Sequence, residues 1–197
     1  MKILLATTNA GKFREVQDLL KDLPVEILTL KDFPHIPPIV EDGKSFEDNA
    51  VIKAHAAAKF ADCLTIGEDS GLEVDVLDGR PGIFSARYAG QGATDEMNND
   101  KLLQELKGVP FKQRRARYRC VAAIVKNNQV MHVADGSCEG LITESRRGTN
   151  GFGYDPLFFI EKYDQTFGEL DPAIKAKISH RAQTFVNVKD FLTAYCV

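Results

Sequence analysis

Apolar residues recur along this chain at two spacings, and each change of spacing marks an element. Ile3 to Ala6 is a short unbroken run of strand length, whereas Phe13, Val16, Leu19, Leu20 and Leu23 fall three or four apart, as on one face of a helix. Val25 to Leu30 reads as a second strand, followed by a connection marked by Pro34, Pro37 and Pro38. Ser45 with Asp48 resembles a capping box, and Ala50, Ala54, Ala57, Ala58 and Ala61 then predict a helix whose small residues imply close packing. From Thr65 a short apolar run breaks at Glu68-Asp69-Ser70-Gly71 and resumes as strict alternation through Leu72, Val74 and Val76, which reads as strand, acidic turn, strand.

Thr94-Asp95-Glu96 opens another helix, with Leu102, Leu103 and Leu106 as its buried stripe and Gly108 as its end. Cys120 to Val125 is a strand, and the basic residues from Lys112 to Arg119 fit exposed or edge positions leading into it. Asn127-Asn128-Gln129 predicts a hairpin to Val130–Ala134, Leu141-Ile142-Thr143 extends the sheet, and Leu157 to Ile160 is a further strand. Asp171-Pro172 starts a short helix. Ser179-His180-Arg181 caps the last one, whose Phe185, Val188, Leu192 and Tyr195 are expected to face the core. At 197 residues the chain suits one folding unit, residues 1–197.

Charge narrows the range of partners. Lys and Arg number 25 against 28 Asp and Glu, a net charge of −3, so the chain lacks the positive field that draws in a polyanion. One basic cluster in an acidic protein makes weak footing for a nucleic-acid backbone, and no stable nucleic-acid binding is expected. Cys63, Cys120, Cys138 and Cys196 lie far apart, without the spacing of a zinc site or a disulfide framework, and read as free thiols of a reducing cytosol. No apolar run approaches membrane-spanning length, so a soluble, cytoplasmic protein is expected.

Candidate chemistry lies in five irregular stretches. Thr7-Thr8-Asn9-Ala10-Gly11-Lys12 joins a strand to a helix with hydroxyls, backbone N–H groups, a positive helix end and a lysine, which suits phosphate oxygens or simply caps the helix. It is not a Walker A loop, since Ala6 and Phe13 stand where glycine and Ser or Thr would be required. Glu41-Asp42-Gly43 closes the proline-marked connection. Glu68-Asp69 beside Gly71 forms a carboxylate pair fit to bind a hard cation or position water, or an ordinary Asp-Ser-Gly turn. Glycines around Phe152, Tyr154 and Asp155 are costly to order, and the aromatic they flank is either a stacking platform for a base or a plug in the core. Lys175, His180 and Arg181 place cationic donors around a helix start, against its dipole, which is the kind of local conflict that marks a site.

Taken in order, these stretches resemble the family of non-canonical purine nucleoside triphosphate pyrophosphatases, the inosine and xanthosine triphosphate hydrolysing enzymes. The resemblance rests on Thr7 to Lys12, Glu41-Asp42-Gly43 with Phe46 and Asn49-Ala50, Glu68 to Leu72, Ser85-Ala86-Arg87-Tyr88, Gly151 to Pro156 and Ser179-His180-Arg181. It implies an elongated mixed α/β sheet with flanking helices in two lobes around a cleft, a homodimer and Mg²⁺. It further implies Glu41 and Asp69 as metal ligands and Asp69 as the base that takes a proton from water. Thr7, Thr8, Asn9, Ala10, Gly11, Lys12, Lys53 and Ser70 would hold the phosphates. Phe152 would stack on the base with Gly153 and Tyr154 beside it, Asp155 would accept from a ring N–H, and Lys175, His180 and Arg181 would donate to a 6-oxo group. Asp48 and Glu68 depart from the family pattern, which more often has Glu and Asp at those places.

Overall fold

The computed structural model of the chain describes residues 1–195; Cys196 lies outside them. Among the described residues the elements run β1 (Lys2–Leu5), α1 (Ala10–Leu20), β2 (Glu26–Thr29), α2 (Phe46–Ala58), β3 (Leu64–Val74), α3 (Asp95–Glu105), β4 (Arg115–Lys126), β5 (Gln129–Ile142), β6 (Phe158–Ile160), β7 (Gln165–Thr166), α4 (Pro172–Ile178) and α5 (His180–Tyr195). The strands are hydrogen-bonded in the order β2-β1-β3-β4-β5-β6-β7. β1 is parallel to β2 and β3, whereas β6 is antiparallel to β5 and β7, so the sheet is mixed.

The chain forms two compact units, one from residues 1–69, 120–136 and those from 180 onward, the other from residues 70–119 and 137–179. In the first, strand alternation sends apolar side chains to both faces. Ile3 and Leu5 pack with Val16 and Leu20 of α1 and with Phe185, Val188 and Leu192 of α5, while Leu4 and Ala6 pack with Ala57 of α2. The alanines of α2 allow a close approach to β3. A Cβ on Gly67 would overlap the carbonyl oxygen of Ala50 and lie 2.5 Å from the Ala54 amide nitrogen, so this crossing requires glycine.

The second unit buries Leu72 and Val74 of β3, Leu102 of α3 and Leu106 just after it, and Tyr118, Phe158 and Phe167 in one core. Thr94 caps α3, its hydroxyl accepting from the Met97 amide at 3.3 Å. Past the other end of α3, the buried Arg114 guanidinium donates to the carbonyls of Val109, Thr143 and Leu106 at 2.9, 3.0 and 3.1 Å, and so ties that end to the segment that follows β5. Asp171 caps α4 as its place before Pro172 predicts, accepting from the Ala173 amide at 2.8 Å.

Five expectations need correction. Glu68-Asp69-Ser70-Gly71 is not a turn: β3 runs straight through it. Such residues favour turns when their side chains bond to nearby backbone, whereas here Glu68 and Asp69 are held by distant side chains described below. β3 also ends earlier than alternation suggests, at Val74, and Asp75–Leu77 is a 3-10 turn with Val76 exposed. Val130–Ala134 and Leu141–Ile142 belong to one strand, β5, entered through Asn127 and Asn128 at φ 51 and 60°, the left-handed pair of a tight hairpin. β4 lies between β3 and β5 and is not an edge, although its charges do alternate outward: Arg117 donates to Glu73 at 2.7 Å between the buried Ala116 and Tyr118. Tyr195, placed in the core by helical spacing, is exposed.

Candidate functional site

In the first unit, Gly67 sets α2 against the backbone of β3, and Asn49 and Lys53, one helical turn apart, face that strand together. Lys53 Nζ lies 2.9 Å from Asp69 Oδ1 and 2.8 Å from Glu41 Oε2. Asn49 Nδ2 donates to Asp69 Oδ2 at 3.1 Å, and Asn49 Oδ1 accepts from the Gly43 amide at 2.9 Å, which ties the Glu41-Asp42-Gly43 loop to the same helix. Burial acts to lower the pKa of Lys53, but the charges of Asp69 and then Glu41 outweigh it, and the ammonium is held above its ordinary range. Two carboxylates share one cation. Asp48 serves the loop instead: its Oδ2 accepts from the Lys44 amide at 3.0 Å and its N–H donates to Ser45 Oγ at 3.0 Å, half of the predicted capping box.

Glu68 points the other way. Lys12 Nζ lies 3.1 Å from Glu68 Oε2, Arg181 Nη2 donates to Glu68 Oε1 at 3.1 Å, and the Cys120 thiol donates to that same oxygen at 3.2 Å. Arg181 Nη1 pairs with Glu15, which lies one turn beyond Lys12 on α1. Here two cations face two carboxylates. Burial opposes the charge of Arg181, yet Glu68 and Glu15 hold its pKa well above the usual arginine value; burial and the Glu68 charge push the Cys120 thiol far up, so it stays a neutral donor. The conflict between a cationic residue and the positive start of α5 is thus resolved by the carboxylates of Glu68 and Glu15.

The turn ahead of α1 is closed on itself. Asn9 Oδ1 accepts from the amides of Gly11 and Lys12 at 2.8 and 3.0 Å, and the Asn9 amide donates to Thr7 Oγ1 at 3.1 Å. Thr8, Asn9 and Ala10 are exposed, while Lys12 turns inward to Glu68.

In the second unit, Asp155 organises the glycine-rich loop. It is buried, its Oδ2 accepts from the Phe152 amide at 2.9 Å and lies 2.5 Å from Lys175 Nζ, and Tyr118 Oη approaches Oδ1 at 3.4 Å. The Lys175 ammonium stands 5.0 Å from the centre of the Phe152 ring, within cation–π range. Both polar groups of Gly153, at φ +63°, are held by α3: its N–H donates to Asp95 Oδ2 at 2.7 Å and its carbonyl accepts from Asn99 Nδ2 at 3.0 Å. Tyr154 is buried, its hydroxyl donates to the Ser85 carbonyl at 2.8 Å, and burial raises its pKa beyond the range where it would ionise.

The predicted residues therefore fall into three groups. Glu41, Lys53 and Asp69 meet at α2; Lys12 and Arg181 meet at Glu68; Phe152, Gly153, Asp155 and Lys175 meet in the second unit. His180 is buried at the start of α5, and Ser70 follows Asp69 in β3. Sequence reasoning passed over Glu15, named Asn49 only within the family motif and Cys120 only as a free thiol, and joined Glu68 to Asp69 as one carboxylate pair, whereas the two engage different cations. Spacing held a signal for two of them, because Glu15 lies three residues from Lys12 and Asn49 four from Lys53, each pair on one helix face. Among the described residues no three His, Cys, Asp or Glu side chains are gathered as a ready-made metal cage, but Glu41 and Asp69 fit a hard cation, since their oxygens already converge on one cationic atom and their charge exceeds that of Lys53.

Fold and site together define a mixed α/β protein in which a lysine-bearing helix start and a second, alanine-rich helix carrying Asn49 and Lys53 both reach the same buried strand. The chain belongs to the Ham1 family, whose model matches residues 3–191. It is 48% identical over 192 residues to the dITP/XTP pyrophosphatase of Desulforamulus reducens, covering 98% of this chain and 96% of that protein. It is 46% identical over 191 residues to the dITP/XTP pyrophosphatase of Geobacter sulfurreducens, covering 97% and 96%. The solved structure of a HAM1 protein from Coxiella burnetii superposes with a TM-score of 0.89 at 39% identity over 98% of this chain and 99% of that one.

Proposed function

We propose that this chain hydrolyses non-canonical purine nucleoside triphosphates, ITP, dITP, XTP and dXTP, between the α and β phosphorus, releasing the monophosphate and pyrophosphate and cleansing the nucleotide pool. Relatives at 46–48% identity that carry the dITP/XTP pyrophosphatase name support the substrate class. The observation that carries the chemistry is the convergence of Glu41 and Asp69 on one cation, Lys53 Nζ, at 2.8 and 2.9 Å.

In this reading the 197 residues work as one catalytic domain, and Glu41 and Asp69 hold Mg²⁺. Bound there, Mg²⁺ supplies neutralisation of phosphate charge and makes a water a better nucleophile. Asp69, oriented by Asn49, takes the proton of the attacking water, and the electron pair of the broken anhydride bond leaves on pyrophosphate. Thr7, Thr8, Asn9, Ala10, Gly11, Lys12, Lys53 and Ser70 hold the phosphate oxygens, which disperses the charge that builds on the leaving group. Phe152 stacks on the base, with Gly153 and Tyr154 shaping the loop. Asp155 accepts from a ring N–H; Lys175, His180 and Arg181 donate to the 6-oxo group, Arg181 from a guanidinium anchored by Glu15 and Glu68. Adenine would set donors against donors, and mismatches of that kind cost on the order of 10⁴-fold.

We also propose a cytoplasmic homodimer without stable nucleic-acid or membrane partners. Free thiols at Cys63, Cys120 and Cys138 suit a reducing compartment, and among the described residues no helix is long and apolar enough to cross a membrane. The dimer rests on the family resemblance. The deciding experiment incubates the protein with ITP and Mg²⁺ and separates products: inosine monophosphate with one pyrophosphate per turnover is expected, and inosine diphosphate with orthophosphate would overturn the assignment.

A further inference from the structure

We infer that Lys53 is a resident cation, holding the place of the metal between Glu41 and Asp69 until a divalent ion displaces it, so that metal entry and release of the lysine are a single exchange. The inference rests on the proposed metal role of Glu41 and Asp69.

Three observations carry it. The ammonium nitrogen touches one oxygen of each carboxylate, at 2.8 and 2.9 Å, the same two groups a metal would use. Mg²⁺ binds oxygen at about 2.0–2.1 Å, so a divalent ion drawn to that pair would meet the ammonium at close range with like charge, and the two cannot share the position. Charge balance then separates this cluster from its neighbour across the strand. Glu68 and Glu15 pair with Lys12 and Arg181, whereas among the described residues Glu41 and Asp69 pair with Lys53 alone, so exchange of a monocation for a dication restores what the trio lacks.

The parts are also built to move unequally. Asp69 stays in place on β3 because Asn49 donates to its second oxygen at 3.1 Å. Lys53 hangs on a flexible four-carbon stem, and Glu41 sits on a partly exposed loop. A displaced Lys53 needs a new anion, and a triphosphate provides one. Metal without nucleotide must therefore bind weakly.

The test measures Mn²⁺ binding to the nucleotide-free full chain by electron paramagnetic resonance of the free ion. Lys53→Met should bind Mn²⁺ about tenfold more tightly or better, a coupling of ordinary size for linked sites. Lys53→Arg, which keeps the charge, should stay within a few-fold of the parent, and adding Glu41→Gln to Lys53→Met should abolish the gain. If parent and Lys53→Met bind Mn²⁺ equally while Glu41→Gln weakens both, the exchange is wrong although the metal site stands. If no Mn²⁺ binding in any variant depends on Glu41, both the exchange and the metal assignment fall. Should Lys53→Met not fold alone, recovery of its melting transition by Mn²⁺ at concentrations that leave the parent unmoved supports the exchange, and lack of recovery overturns it.

Discussion

Glu68 and Asp69 are consecutive in β3, yet Glu68 Oε1 accepts from Arg181 of α5 at 3.1 Å while Asp69 Oδ1 pairs with Lys53 of α2 at 2.9 Å, on the opposite face. Strand alternation does this with no special geometry, because neighbouring side chains leave opposite sides of the pleat. One carboxylate faces α1 and α5 and pairs with two cations; the other faces α2 and, among the described residues, shares its one cation with Glu41. Two adjacent acids thereby acquire separate tasks.

Replacing Asp69 by Asn keeps shape and the acceptor oxygen but removes the charge. The strand should persist, since Lys53 retains Glu41 as a partner. Turnover of ITP should fall by at least about two orders of magnitude, the low end for loss of a general base. A kcat near the parent value, in protein with an unchanged melting temperature, would remove Asp69 from the chemistry.

Arg181→Ala leaves Glu68 and Glu15 without their shared cation inside the protein, so unfolding experiments should show a loss of about 3–5 kcal/mol. The proposed base-reading role makes a separate demand: kcat/KM for ITP should fall more than for ATP, narrowing the ratio by roughly 1–3 kcal/mol. Both rates come from one preparation, so general damage cancels. An equal loss for both nucleotides would leave Arg181 as a structural partner of Glu68 only.

Phe152 offers a ring and no donor pattern. Phe152→Ala should raise KM for all purine triphosphates alike, by about 1–3 kcal/mol of binding, with the ITP-to-ATP preference intact. A changed preference would show that the loop reads the base edge through the ring position itself.

Lys53 gives stability a signature at high pH. Its folded pKa is raised above the ordinary 10.5, so the stability it contributes is fully present below about 10.5 and is lost as pH rises through the folded value. Melting temperatures of the parent and Lys53→Met should differ most at neutral pH and converge only above that point. Convergence already by pH 9 would mean that Lys53 is not held by Asp69 and Glu41 in solution.

The helices and most strands were legible because apolar spacing and caps agree: Thr94 and Asp171 begin the helices their positions predict, and Phe185, Val188 and Leu192 face the core. Glu68-Asp69-Ser70-Gly71 misled because an acid, serine and glycine run has the composition of a turn, and nothing local reports that Lys53, Asn49, Lys12 and Arg181 wait elsewhere to hold its carboxylates. Glu15 looks like any solvated helix residue until Arg181, 166 positions away, is brought to it. The family resemblance supplied Glu41 and Lys53. Only the fold supplied what Asn49 and Cys120 touch, the first Asp69 and the second Glu68.

Gly67 turns α2 into a single mechanical part. Because the helix rests on bare backbone there, its distance from β3 is a fixed length, and Lys53, Asn49 and, through Asn49, the Gly43 loop ride on it as a rigid bar. The point from which the flexible lysine stem springs, the amide that orients Asp69 and the tether of the loop carrying Glu41 consequently share one support. Any change that lifts the bar, even a methyl group at position 67, displaces Lys53, Asn49 and the Gly43 loop together, so the proposed metal and phosphate contacts would shift as one set rather than singly.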